Sequence, residues 1–186
     1  MLFAKLFFTV LLADFISGLV HWLEDAYARP GMRFVGRIAE ENLRHHARPR
    51  DFLKKSWWQS SSDLLLAGLL LLLASIAGGF FSPWLLLFVV LTVNANQVHK
   101  WAHQGPRENP LLVTWLQRLR LLQTPREHAR HHRGAKDSHY CVLTNVLNPV
   151  LEKAGFWTGM ERLVMALTGL RRRHDAEHVL PGAQGR

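Results

Sequence analysis

The chain contains one cysteine, Cys141, among 186 residues. A lone thiol excludes an internal disulfide, a cysteine-held cluster and a zinc ribbon, and it leaves the redox compartment undecided. HExxH is absent, which argues against a zincin-type membrane protease, and no flavin, haem or dinucleotide fingerprint occurs. Charge is missing where hydrophobicity is dense. Leu64 to Phe81 carries no charged residue, and the stretch Gly78 to Pro83 has no lysine or arginine.

What is present is unevenly spread. Mean hydropathy is only −0.01 although 48% of residues are apolar, so the apolar residues must be concentrated. Leu64–Phe81 is about long enough to cross a hydrocarbon core. Met1–Val20 is a second candidate, interrupted only by Lys5 and Asp14. It lacks a charged leader beyond Lys5 and a small-residue cleavage site before His21, so it reads as a retained span rather than a signal peptide. A third run, Trp84–Val93, continues through Asn94, Ala95, Asn96 and Gln97. Alone it is short for a span. Joined to the second run through Gly78-Gly79 and Ser82-Pro83, it becomes the return half of a helical hairpin.

The expected fold is an all-α integral membrane protein with about three transmembrane helices, near 2–21, 63–81 and 83–99. A helical, histidine-rich cytoplasmic cap completes it, with helices over roughly 35–48, 110–123 and 157–168. Residues 1–170 form one domain, and the polar tail 171–186 is expected to be disordered. The net charge of +9 is distributed asymmetrically. Arg29, Arg33, Arg37, Arg44, Arg48, Arg50, Lys54 and Lys55 fill the loop 21–62, and further basic residues follow Val98. That is the positive-inside pattern, and it places the loop and the C-terminal third in the cytoplasm. Basic residues of this kind, flanking spans, argue against nucleic-acid binding.

Eight of the eleven histidines fall in four groups beside these runs: His21, His45-His46, His99/His103 and His128/His131/His132. His99 and His103 share one helical face, as do the three of the last group. With two crossings between His21 and His99, every group lands on one side of the bilayer. Asp25, four residues after His21, shares its face if the first helix continues; Glu24 points about 100° away. His139 is off the spacing and reads as a supporting donor or a surface residue. His174 and His178 lie in the polar tail and are set aside. Asp14, inside the first span, is a functional candidate by position; helix contact and pairing with Lys5 are its other readings. Most of the seven tryptophans flank apolar runs, as an interfacial belt does.

Imidazole suits iron, zinc and copper. Eight aligned rings are about twice the three or four ligands of one zinc ion, which points to two ions. Haem would use one or two histidines and leave the others unexplained. Two irons in an almost all-histidine shell at the cytoplasmic face suit O2 activation and attack on an unactivated C–H bond of a lipid. A transporter or other non-catalytic metal binder is the rival of a different class, but its sites usually lie at the midplane.

The segments GLVHWLEDAY, HHARP, NQVHKWAH, PREHARHH and LNPVLEKAGFW, in this order, resemble the lipid-desaturase (Kua) family from about Gly18 to Gly169. The resemblance implies an O2-dependent lipid desaturase whose site residues are His21, Asp25, His45, His46, His99, His103, His128, His131 and His132. It implies a membrane phospholipid as substrate, two iron ions and electrons from a separate transfer protein. A 1-O-alkyl phospholipid converted to its vinyl ether is the first expectation, and an acyl-chain desaturase or hydroxylase the second. Lys55 and Lys136 stand where animal members of the family carry further histidines.

Overall fold

A computed structural model of the chain describes residues 1–173. The secondary structure of the described residues is all helical, with no strand. The helices are α1 (Leu2–Tyr27), α2 (Gly36–Ala47), α3 (Trp57–Ala77), α4 (Pro83–Val93), α5 (Ala95–Ala102), α6 (Leu111–Arg118), α7 (Pro125–His131), α8 (Leu147–Lys153) and α9 (Phe156–Thr168), with a 3-10 turn at Pro49–Lys54. Two of them, α1 and α3, are long and apolar enough to cross a membrane, and only 22% of each apolar window is buried by the protein itself. Their leucines and phenylalanines face outward: Phe3, Phe8, Leu66 and Leu73 are all exposed. An outward apolar surface of this extent is what a hydrocarbon environment selects.

Local chemistry sets the helix ends. Ser56 accepts from the Gln59 amide while Gln59 Oε1 accepts from the Ser56 amide, a capping box that starts α3. Ser82 caps α4 and Thr124 caps α7, each followed by a proline at the first helical position. Helix α4 packs against both α1 and α3. Gly68 permits the second contact, because a Cβ there would lie 2.7 Å from Val89 Cγ1.

Four expectations change. The third apolar run is not one helix: it breaks at Asn94 into α4 and α5, where Asn94 Oδ1 accepts from the Trp57 indole instead. The first helix outruns its predicted end and reaches Tyr27, carrying Asp25. The helix expected over 110–123 stops at Arg118, since Arg120 adopts φ 59°. Trp22 and Trp157 are not belt residues; both are buried in a core with Tyr140 and Cys141. The helices expected near 35–48 and 157–168 are α2 and α9.

Residues 139–146 run as non-helical chain across α1. Asp14, fully buried, accepts from the amides of Leu143 (2.9 Å) and Thr144 (3.2 Å) and from the Thr144 hydroxyl. It is therefore an anchor for this segment and not a partner of Lys5. Gly18 lets the segment approach, since a Cβ would sit 2.6 Å from Cys141 Sγ. Asn148 and Gln123 hold the Cys141 carbonyl from the other side. The polar tail falls mostly outside the described residues, with His174 and His178. Its first residues are held: Arg172 donates to Glu161 and the Lys136 carbonyl, and Arg173 to the carbonyls of Ala26 and Ala28.

Candidate metal centre

Four helices deliver side chains to one point. The end of α1 supplies His21 and Asp25, and the last turn of α2 supplies His45 and His46. Helix α5 supplies His99 and ends at His103; α7 supplies His128 and His131 and ends at His132. The donor atoms form two constellations. His45, His99, His103, His128 and His132 form one; His21, Asp25, His46 and His131 form the other. Within each, all donor atoms lie within 4.8 Å of one another. The face shared by His128, His131 and His132 looks onto both constellations, with His131 turned to the second.

The distances identify what the first constellation suits. His128 Nε2 lies 2.9 Å from His99 Nε2, 2.8 Å from His103 Nε2 and 3.0 Å from His132 Nε2. His45 Nε2 lies 3.2 Å from His103 Nε2. A ring nitrogen offers one hydrogen or one lone pair, so His128 Nε2 cannot satisfy three neighbours by hydrogen bonding. A shared cation can satisfy them all. For metal–imidazole bonds of about 2.1 Å, ligand nitrogens lie about 3.0 Å apart at a right angle and about 3.4 Å apart at a tetrahedral one. The observed separations, 2.8 to 3.2 Å, lie at or just below the right-angle end of that range.

Protonation agrees. Burial first, then neighbouring imidazoles, holds His45 and His128 well below the usual histidine range. The same causes bring His103 down to about 4 and His132 to about 2. Each ring is therefore neutral near pH 7 and keeps a lone pair, as a ligand must.

In the second constellation Asp25 Oδ2 is the hub. It lies 3.3 Å from Nε2 of each of His21, His46 and His131. Two of these rings are oriented from behind. His21 Nδ1 faces the Tyr140 carbonyl at 3.1 Å, and His131 Nδ1 faces the Ser138 carbonyl at 2.8 Å. Those bonds need a hydrogen on Nδ1, and they turn Nε2 of each ring inward toward Asp25 Oδ2. Asn42 Nδ2 donates to Asp25 Oδ1 at 3.2 Å and to Glu24 Oε2 at 3.3 Å. Glu24 is otherwise outside the donor set, as its angular position predicts.

The backbone carbonyls and Asn42 carry no mark in the sequence. His139 lies outside both constellations, against Glu127 at 3.6 Å and Ser138 at 3.1 Å. Neither departure from the family pattern enters the donor set. Lys55 pairs with Glu41 at 2.6 Å, and the Lys136 carbonyl accepts from the Tyr140 hydroxyl and Arg172.

A cavity of about 430 Å³ opens onto the centre. His21, His45 and His99 form part of its wall. Ile16, Val20 and Leu64 line an apolar part, while Arg37, Arg44, Lys54 and Lys55 contribute positive charge, with Glu24, Glu41, Asp51 and Asp63 among them. One space thus joins an apolar compartment, a charged lining and both constellations.

Residues 10–175 match the model of the lipid desaturase domain. The chain belongs to the lipid desaturase family. It is 33% identical over 173 residues to a probable fatty acid desaturase of Acanthamoeba polyphaga mimivirus, covering 92% of this chain and 86% of that one. It is 33% identical over 178 residues to plasmanylethanolamine desaturase 1 of Mus musculus, covering 89% of this chain and 65% of the other. The plasmanylethanolamine desaturase of Myxococcus xanthus is 31% identical, with 89% of this chain and 61% of that one covered. The chain thus spans less than two thirds of the length of the mouse and bacterial relatives. No solved structure matches it. Desaturases are oxidoreductases, and this family member is an enzyme of that class. Membership and the two long apolar helices together make it a membrane protein.

Proposed function

We propose that the chain is a di-iron lipid desaturase that converts a 1-O-alkyl phospholipid of the plasmanylethanolamine type to the corresponding vinyl ether. The observation that carries this reading is the cavity, in which charged side chains and the imidazoles of both constellations line one space. A phospholipid whose headgroup meets Arg37, Arg44, Lys54 and Lys55 has the first carbons of its chain nearest the histidines. Attack close to the headgroup is therefore favoured over attack in mid-chain. The names of the mouse and Myxococcus relatives support the same substrate class.

The five imidazoles would hold one iron, and His21, Asp25, His46 and His131 the other. Iron bound there supplies O2 activation and the removal of two hydrogens. The balance is CH2–CH2 plus O2, two electrons and two protons, giving CH=CH and two waters. The electrons come from a separate transfer protein. The protein's own part is positional. Asp25 places a negative charge beside three imidazoles, and the Tyr140 and Ser138 carbonyls orient two of those rings. Ile16, Val20 and Leu64 keep water from the alkyl chain. In the membrane, α1, α3 and the α4–α5 pair make three crossings, with the histidines on the cytoplasmic side. The basic loop 21–62 and the uncharged stretch from Gly78 to Phe81 support that orientation.

Lipid mass spectrometry of a plasmalogen-free bacterial host, fed an alkylglycerol, tests the reading. An acid-labile product two mass units lighter, absent from the His99→Ala variant, is the expected result. New unsaturation or hydroxylation in ester-linked chains with an unchanged ether pool would replace it with an acyl-chain reaction. The name of the viral relative, a probable fatty acid desaturase, favours that second reading. Full activity and iron content in His99→Ala would sink both.

A further inference from the structure

Helix α6 leaves a face bare that the metal centre does not use. Leu111, Leu112 and Trp115 on α6, and Leu119 just after it, are 74%, 69%, 52% and 64% exposed. At 100° per residue these four positions fall within an arc of about 100°. The opposite face is committed to the protein. Val113, Thr114 and Gln117 are buried, and Gln117 Nε2 donates to the carbonyls of Trp101 (3.1 Å) and Gln123 (3.0 Å). Asn109 Nδ2 donates to the same Trp101 carbonyl at 2.9 Å, and the Thr114 hydroxyl to Pro106 at 3.1 Å. Rolling α6 to hide its leucines would break these bonds in a buried setting, at about 1–3 kcal/mol for each group left unsatisfied. The bare face is therefore fixed outward.

We infer that α6 lies flat in the bilayer interface, its leucines at the acyl boundary and its arginines among the headgroups. The occupant is lipid because of what borders the face. The Arg118 guanidinium lies over the Trp115 ring at 5.5 Å, and Arg107 and Arg120 are exposed at either end of the helix. A short leucine–tryptophan face edged by arginine is the composition of helices that rest in the membrane plane, their cations reaching anionic headgroups. The bare face is also near the apolar hairpin in the chain, since α6 follows α5 and α5 follows α4. Through Gln117 and Asn109, α6 grips the Trp101 carbonyl, between His99 and His103. Through Gln123 it grips the link into α7. Seating α6 in the bilayer thus sets the depth of α5 and α7, which supply every imidazole of the first constellation except His45. That depth governs which chain carbon reaches them. The last point rests on the proposed activity; the placement of α6 does not.

Cys141 is buried, so nitroxide labels on Leu112→Cys, Trp115→Cys and Leu119→Cys report from single sites. Glu40→Cys, on the exposed side of α2, serves as the water-facing reference. The protein is reconstituted in bilayers of phosphatidylcholine with phosphatidylglycerol, and collision with O2 is compared with collision with a water-soluble nickel chelate. All three sites should favour O2 several-fold over the reference. Values equal to the reference at all three overturn the inference. So does protection from both reagents with spin–spin broadening, which would place a second copy on the face. On the unmodified chain, a photoactivatable phospholipid should leave adducts within 111–119, and adducts confined to other helices count against the placement. Iron content and lipid products measured alongside keep the two readings apart. Water-facing labels in active protein defeat only this inference. Lipid-facing labels in protein that binds no iron defeat only the activity.

Discussion

The two constellations use the same ring in different settings. Around Asp25, two of three imidazoles are held from behind by backbone carbonyls, and the carboxylate itself is held by Asn42. Among the five imidazoles, Nδ1 of His45, His128 and His132 is buried without a hydrogen-bond partner among the described residues. The first arrangement is organised by the protein before any ion arrives. The second depends on its neighbours, with His128 Nε2 touching three of them. A carboxylate also brings negative charge that imidazoles lack, so the Asp25 side is the better suited of the two to high positive charge.

Removing the most connected ring should break this comparison most severely. His128→Ala is expected to abolish desaturation and lower bound iron from about two ions per chain to about one, read by elemental analysis of purified protein. Asp25→Asn preserves shape and removes charge. It should weaken metal binding by about 10–100-fold at the Asp25 side first, seen as biphasic iron release to a chelator where the parent protein releases in one slow phase. Asp14→Ala sharpens the comparison from a distance. It unpins residues 139–146, leaving buried amides of Leu143 and Thr144 unsatisfied, and should cost about 1–3 kcal/mol of stability in thermal unfolding. Because Tyr140 and Ser138 serve only His21 and His131, its effect on iron should be confined to the Asp25 side. Equal loss from both constellations would show that they are not separately organised.

The candidate donors were legible because histidine is scarce elsewhere and because each group adjoins an apolar run. The even number of predicted crossings between His21 and His99 then put every group on one side. Their division was not legible. His45 and His46 are consecutive yet turn to different constellations, as do His131 and His132, and a spacing argument groups neighbours rather than separating them. Asn42 and the two carbonyls were invisible for a different reason: a backbone acceptor exists at every residue, and only the path of residues 138–140 across α1 selects these. The break at Asn94 had a visible cause in the polar run Asn94–Gln97, but hydropathy alone favoured continuity. The early end of α6 had none, since the left-handed turn at Arg120 falls on a residue with no preference for it.

The two pairs of consecutive histidines constrain movement as well as position. On a helix, adjacent side chains diverge by about 100°, so α2 and α7 each hold one ring toward either constellation, like a fork with one tine in each. Sliding such a helix along its axis carries both tines together and leaves the separation of the two centres unchanged. Rolling it advances one ring as it withdraws the other. Helices α2 and α7 can therefore change the spacing of the two constellations only by rotation, and whatever clamps them against rolling fixes their share of that span.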